Sequence, residues 1–467
     1  MKFGRKQKIA YGLGAIGKDM VYALSASYVM YYYQDILGLS ATFVGAVLMA
    51  ARFFDAANDP FMGVLVAKTN SKWGKFRPWL FSGTLLNAFV LYALFAAPNL
   101  QGTGLMVYFT VVYLLWGVTY TMMDIPYWSM IPAVTEMPKE RESLSVIGRT
   151  CAGVGNALIT IGTMMSVKML GSGNERTGFM WFALIVSVIF LVTEVILCRS
   201  VEEKKVEEKM ETTSVKEMFA SLFHNDQAMV TVITIVLING ALYITSNLII
   251  YFFKYDFSLS LADPTKWQET YTLFSTVGGG SQILGMMLLY PLLRKFLGNS
   301  QIFKLCLCTA ILGYAILLAA CLSGNAGNLV LLLVPGILVF LSNGILTVLT
   351  TVFLTSSVDY GELKTGHREE SVIFSMQTFV VKAASGFAVF LTGIGIDLIG
   401  LVRSASDNEI IVQSASTLNG LRLLMTVIPI IGLIIAFVVF SAKFILTDEK
   451  AEEIALELKN RSAGKAS

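Results

Sequence analysis

Apolar runs of about 20 or more residues, separated by short polar breaks, recur twelve times along the 467-residue chain. A helix rises about 1.5 Å per residue, so each run is long enough to cross a hydrocarbon layer about 30 Å thick. The runs cover approximately residues 8–37, 41–67, 77–98, 104–134, 146–170, 177–199, 226–254, 268–293, 302–323, 327–356, 370–400 and 418–447. With 55% hydrophobic and only 14% charged residues, the chain cannot hide this surface in one water-soluble core. It is expected to be an all-α integral membrane protein with twelve transmembrane helices.

No small-residue cleavage site follows a short apolar core at the N-terminus, so the first run reads as an uncleaved span. Lys2, Arg5, Lys6 and Lys8 precede it, and Lys68, Lys72, Lys75 and Arg77 follow the second. The alternate loops are poorer, with Arg176, Lys254, Lys266 and Arg403. The positive-inside rule then puts both termini in the cytoplasm. Tyr31, Tyr32 and Tyr33 are expected to mark the outer interface. None of the five cysteines has disulfide or metal spacing; Cys306 and Cys308 read as packing residues.

A mixed-charge stretch after Ser200 divides the chain into six spans and six spans, as in transporters whose two bundles rock around a central site. The expected organisation is residues 1–199 as one six-helix bundle, 200–225 as a solvated loop, 226–447 as the second bundle and 448–467 as a charged cytoplasmic tail. No phosphate-binding G-x-x-x-x-G-K-[ST] motif occurs, which disfavours direct ATP drive, and Gly278-Gly279-Gly280 lies in an apolar span as a packing or flexing element.

Against this apolar background the intramembrane charges need a reason. In the second span Asp55 and Asp59 are i, i+4 neighbours, with Asn58 one turn after Asp55 and Arg52 one turn before it. Two carboxylates and an amide oxygen suit a small hard cation such as Na+, or could share a proton; a structural ion-pair cluster is the competing reading. Span one carries Lys18 and Asp19 behind Gly12, Gly14 and Gly17, whose small size allows close helix packing. Span four places Thr121, Asp124 and Trp128 on one stripe, beside Tyr120. A carboxylate beside an aromatic face suits a sugar, since the acid accepts hydroxyl hydrogen bonds while the ring packs on C–H groups. Pro126 is a candidate kink. Arg149 in span five, with Gln377 and Lys382 in span eleven, completes the set. Lys18, Arg52, Arg149 and Lys382 balance Asp19, Asp55, Asp59 and Asp124; unpaired in lipid, these charges at roughly 3 kcal/mol apiece would cost on the order of 20 kcal/mol. They are expected to converge on partners, water, ligand or ion. Trp73-Gly-Lys75-Phe-Arg77, Arg141, Glu142, Asp359, Glu362 and Arg368 lie in loops as a possible cytoplasmic gate, plain positive-inside loops being the alternative. His224 and His367 lack a second ligand at metal spacing, so no transition metal is expected.

Several of these motifs resemble those of the glycoside-pentoside-hexuronide cation symporters of the major facilitator superfamily, the bacterial melibiose carriers above all. The resemblance rests on Tyr11-Gly-Leu-Gly-Ala-Ile-Gly-Lys18-Asp19, on Ala51 to Pro60, on Ser71 to Trp79, on Thr119 to Ser129 and on Val358-Asp-Tyr-Gly-Glu362, and it covers nearly the whole chain. It implies that Lys18, Asp19, Asp124, Trp128 and Arg149 contact a galactoside, that Asp55, Asn58, Asp59 and Thr121 hold the cation, and that Lys382 lies near that site. The acidic pair of spans one and four implies an α-galactoside, most closely melibiose. Where the enterobacterial carriers have Trp and Asp, this chain has Thr347 and Ser356, so the aglycone side of the pocket is expected to differ. The function implied is symport of a galactoside with Na+, or with Li+ or H+, across a bacterial cytoplasmic membrane, with no bound cofactor, nucleic acid or obligate protein partner. Other glycosides remain open. A non-transporting sugar sensor is disfavoured by the short tail, and a membrane enzyme by the lack of a nucleophile–base pair.

Overall fold

The computed structural model describes residues 4–135, 137–172, 174–203, 224–261, 267–324, 326–366, 370–402 and 412–465. Among these residues there is no strand, and a helix covers every expected span. In order they are α1 (Arg5–Tyr31), α2 (Ala41–Lys68), α3 (Arg77–Phe95), α4 (Gly102–Val134), α5 (Pro138–Gly171), α6 (Glu175–Ser200), α7 (Asp226–Tyr255), α8 (Trp267–Leu284), α9 (Asn299–Leu322), α10 (Leu329–Thr365), α11 (Glu370–Leu398) and α12 (Ala415–Lys443). A π turn, Gly285–Leu289, and one further helical turn, Tyr290–Leu293, prolong α8. Among the described residues ten helices are long and apolar enough to cross a membrane by length and composition; α1 and α2 are not among the ten. These two carry Lys18 and Asp19, and Arg52, Asp55 and Asp59, within their length.

The chain packs into two compact units. One comprises Met1–Ala228 with Leu354–Lys382 and Glu449–Ser467; the other comprises Met229–Phe353 with Ala383–Asp448. In the first unit α1 packs on α5 and α6, α3 on α4 and α6, and α2 on α4; in the second α9 packs on α12. Glycines make the α1 contacts close. A Cβ at Gly12 would lie 2.9 Å from Cys151 Sγ, one at Gly14 would lie 2.9 Å from Leu197 Cδ2, and one at Gly17 would overlap the Thr193 hydroxyl. The second unit is tied by Arg422, whose Nε and Nη2 each donate to one Asp256 oxygen at 2.7 Å.

Several elements differ from expectation. Tyr32 and Tyr33 are fully buried in a π turn, Tyr32–Ile36, so their rings face protein. The Tyr33 ring packs 4.2 Å from Phe109 while its hydroxyl donates to the Leu94 carbonyl, so the ring is core and its polar tip is satisfied. The charged tail carries more helix than the turn or two expected: Asp448–Lys465 is a helix, α13, which buries Ala451, Ile454 and Ala455. Arg141 and Glu142 lie in α5, whose first helical residue is Pro138, where a missing N–H is tolerated. Asp359 and Glu362 lie in α10, which runs on until Gly366 adopts a left-handed φ of +77° and donates to the Glu362 carbonyl. Pro126 and Pro132 sit inside α4, which continues through both. Cys306 is buried as expected for packing, whereas Cys308 is exposed. Arg368 and His367 fall outside the described residues.

Candidate functional site

The site is set by the register of α4 against α2 and α1. Gly117 of α4 faces Asp55 so closely that a Cβ there would overlap the carboxylate. One turn on, Thr121 Oγ1 donates to Asp59 Oδ1 at 3.2 Å. Positions 117 and 121 of α4 therefore meet positions 55 and 59 of α2, each pair one helical turn apart. Asp59 is fully buried and its Oδ1 also accepts from Lys382 Nζ of α11 at 2.9 Å. Yet Asp59 Oδ2, Asp55 Oδ1 and Asn58 Nδ2 are buried with no hydrogen-bond partner among the described residues. Rotating the Asn58 amide would put its oxygen in that place. Two carboxylates, an amide and a hydroxyl make an oxygen-rich donor set of the kind a hard cation takes, with buried acceptor capacity left over.

Three residues after Thr121 the same helix presents Asp124 to α1. Asp124 Oδ1 accepts from Lys18 Nζ at 2.7 Å and from Trp128 Nε1 at 3.2 Å. Lys18 Nζ lies 3.1 Å from Asp19 Oδ2 and donates to the Tyr120 hydroxyl at 3.2 Å. Its side chain is 3% exposed, against 19% for Asp19 and 17% for Asp124. The ammonium is thus the buried hub and the two carboxylates are the parts a ligand can reach. Arg149 Cζ stacks 3.9 Å over the Trp128 ring. Gly148 makes room for this, since a Cβ there would lie 3.0 Å from Tyr11 and 3.3 Å from Trp128. Behind the cluster, Tyr11 and Tyr127 stack at 4.5 Å and each hydroxyl donates to the other residue's backbone carbonyl.

The packing of the helices therefore brings Lys18, Asp19, Tyr120, Asp124, Trp128 and Arg149 together in one cluster, and Asp55, Asn58, Asp59, Thr121 and Lys382 in the next. Arg52 is exposed and makes no ion pair among the described residues, and Gln377, half-buried, makes no hydrogen bond there. Of the gate candidates, Arg141 and Asp359 form a buried ion pair, and Arg141 Nε also donates to Thr135 Oγ1 at 3.3 Å. Lys75, in the α2–α3 loop, pairs with Glu370 of α11 at 3.0 Å. Two acids were missed. Glu194 of α6 is 1% exposed beside Gly14, and neither carboxylate oxygen has a hydrogen-bond partner among the described residues. Glu203, read as part of a solvated loop, is buried against the start of α3, with a side chain 3% exposed.

The family model for MFS/sugar transport proteins matches residues 10–447. The chain belongs to this family. It is a family of transporters and not of enzymes, and the chain is a multi-pass membrane protein. It is 26% identical to a lactose permease of Lactobacillus delbrueckii subsp. bulgaricus, over 99% of this chain and 73% of that one. An isoprimeverose transporter of Lactiplantibacillus pentosus is 28% identical over 91% of this chain and 86% of its own length. A raffinose carrier protein of Pediococcus pentosaceus is 27% identical over 97% and 71%. Among solved structures, the proton:xylose symporter bound to 6-bromo-6-deoxy-D-glucose superposes with a TM-score of 0.63, at 14% identity, over 97% of this chain and 98% of that one. That likeness establishes the major facilitator fold.

Proposed function

We propose that this sugar transporter carries a galactoside, melibiose or a related α-galactoside, together with Na+, for which Li+ or H+ can substitute. The observation that carries the reading is the spacing on α4: Thr121 serves the cation cluster and Asp124, one turn away, serves the sugar cluster. Lys382 stands at Asp59 where an incoming Na+ would, so Na+ entry takes over the carboxylate from a tethered ammonium. That shift passes along α4 to Asp124 and Trp128. Asp19 and Asp124 accept sugar hydroxyls, Tyr120 adds a hydroxyl, and the Trp128 face, backed by Arg149, packs on the galactosyl ring.

Coupling is then linkage: if Na+ raises sugar affinity, sugar raises Na+ affinity by the same factor. Both termini are cytoplasmic in this reading, and Arg141–Asp359 and Lys75–Glu370 close the cytoplasmic end, breaking when access alternates. Raffinose contains the α-galactosyl linkage of melibiose, which supports the α-galactoside. Lactose and isoprimeverose, with Thr347 and Ser356 in the second half of the chain, favour a second reading in which the aglycone, and so the transported glycoside, differs.

Uptake into vesicles under an imposed Na+ gradient tests both, with α-galactosides, β-galactosides, xylosides and glucuronides as the panel. Na+-driven accumulation of melibiose is expected. Accumulation of xylosides alone would replace the substrate, and uptake indifferent to Na+, Li+ and pH would remove the coupling.

A further inference from the structure

Three residues beyond α6, the Glu203 carboxylate enters the N-terminal end of α3. Its Oε2 accepts from Lys75 N at 2.5 Å and Phe76 N at 2.9 Å, and its Oε1 accepts from Arg77 N at 2.7 Å. Arg77 Nε lies 3.7 Å from Oε1. Three successive backbone N–H groups at a helix start form an anion cradle, because these donors have no partner inside the helix and the helix dipole is positive there. The cradle also depends on Gly74, at φ +111°, where a Cβ would lie 2.6 Å from Oε2. The chain thus fills its own anion site with a buried carboxylate.

The same loop carries Lys75. Its backbone N–H is held by Glu203 and its ammonium by Glu370, which is 1% exposed in the first turn of α11. Twelve residues along α11, about 18 Å at 1.5 Å per residue, Lys382 reaches Asp59. Helix α2 and the loop that follows it are therefore pinned to α11 twice, at Asp59–Lys382 and at Lys75–Glu370.

We infer that Glu203 is a positioning residue for the gate: by fixing the backbone of residues 75–77 it aims Lys75 at Glu370 and holds the second pin shut. The inference rests on the gate in the proposed function, but its test needs no substrate, so either can fail alone. In a cysteine-free background, the thiol introduced by Ser371→Cys replaces a side chain that is fully buried next to Glu370. Its maleimide labelling rate reports opening of the pin.

Hydrogen bonds to a charged group contribute about 1.5–3 kcal/mol, so Glu203→Ala should speed labelling by about tenfold to a hundredfold. Lys75→Ala should do the same, and the double variant no more than either. Formate, small enough for the vacated cradle, should slow labelling in Glu203→Ala and leave the double variant fast. Labelling of Glu203→Ala at the parent rate, additive effects in the double variant, or an equal formate effect on both would overturn the inference. If Glu203→Ala does not fold, Glu203→Gln, which keeps one acceptor oxygen and leaves no room for formate, takes its place in the same cycle and is judged on its labelling rate and on its non-additivity with Lys75→Ala.

Discussion

The two clusters that share α4 use their polar atoms differently. Around Lys18 the charges meet each other: one ammonium serves two carboxylates and a tyrosine hydroxyl, and Asp124 takes a second donor from Trp128. Around Asp59 the acceptors outnumber the donors, since Lys382 and Thr121 both go to one oxygen while Asp59 Oδ2 and Asp55 Oδ1 are left over. A cluster whose ions are paired can bind a neutral polyol by exchanging hydrogen bonds at the accessible faces of Asp19 and Asp124. A cluster with surplus buried oxygens calls for a positive charge from outside. In the proposed reading the neutral cargo and the cationic cargo match these two neighbouring environments.

The strongest test of this contrast removes the hub. Lys18→Met leaves Asp19 and Asp124 facing each other without their cation, and breaking a buried pair costs about 3–5 kcal/mol. Thermal unfolding of the purified protein should shift down by more than for any change at the cation cluster. An unaltered transition would mean that the Lys18 cluster is not held together as described.

Next in size is Asp124→Cys. Lys18 keeps Asp19 at 3.1 Å, so the fold should persist. Losing hydrogen bonds to a charged acceptor, about 1.5–3 kcal/mol, should weaken galactoside binding by about tenfold to a hundredfold in calorimetry. Asp59→Cys should behave in the opposite way, retaining galactoside binding but losing its Na+ dependence. Typical coupling free energies of about 1–3 kcal/mol make that a loss of about fivefold or more in Na+ stimulation. Undiminished stimulation would move the cation elsewhere.

How much of this was readable in the sequence follows from what each signal depends on. The apolar runs gave twelve helices because hydrophobic length is a property of contiguous residues. The pairs Asp55–Asp59 and Thr121–Asp124 were readable because helical spacing puts them on shared faces. The placement of Arg141 and Asp359 was not: hydropathy marks where a helix leaves the apolar layer, whereas α10 ends where Gly366 turns left-handed and α5 starts at Pro138. Glu194 is not legible in the sequence because a lone carboxylate in an apolar run has no spacing partner, and only the packing of α6 on α1 places it beside Gly14. Glu203 is illegible for the converse reason, since a charged stretch looks solvated until the three N–H groups of a distant loop close on one of its members. Tyr32 and Tyr33 show the same limit, as the spacing of amphipathic rings does not reveal which of them pack against protein, and tertiary contacts decide.

The sharpest probe of register is a single added methyl. Gly117 is the one α4 position in this region where the absent side chain makes room for Asp55, and an added methyl would occupy the carboxylate's place. Overpacking of that kind costs about 1–3 kcal/mol, which Asp55 can relieve by turning away from its neighbours Asn58 and Asp59. Gly117→Ala should therefore weaken Na+ binding by about tenfold, equivalent to about 1.4 kcal/mol, while galactoside affinity at saturating Na+ stays within about twofold of the parent. Gly148→Ala, against Trp128 and Tyr11, should do the reverse and weaken the sugar at unchanged Na+ affinity. Titrating each ligand against both variants separates the clusters, because equal losses of both ligands in both variants would mean that α4 carries one undivided site and that the contrast between paired and surplus oxygens has no functional counterpart.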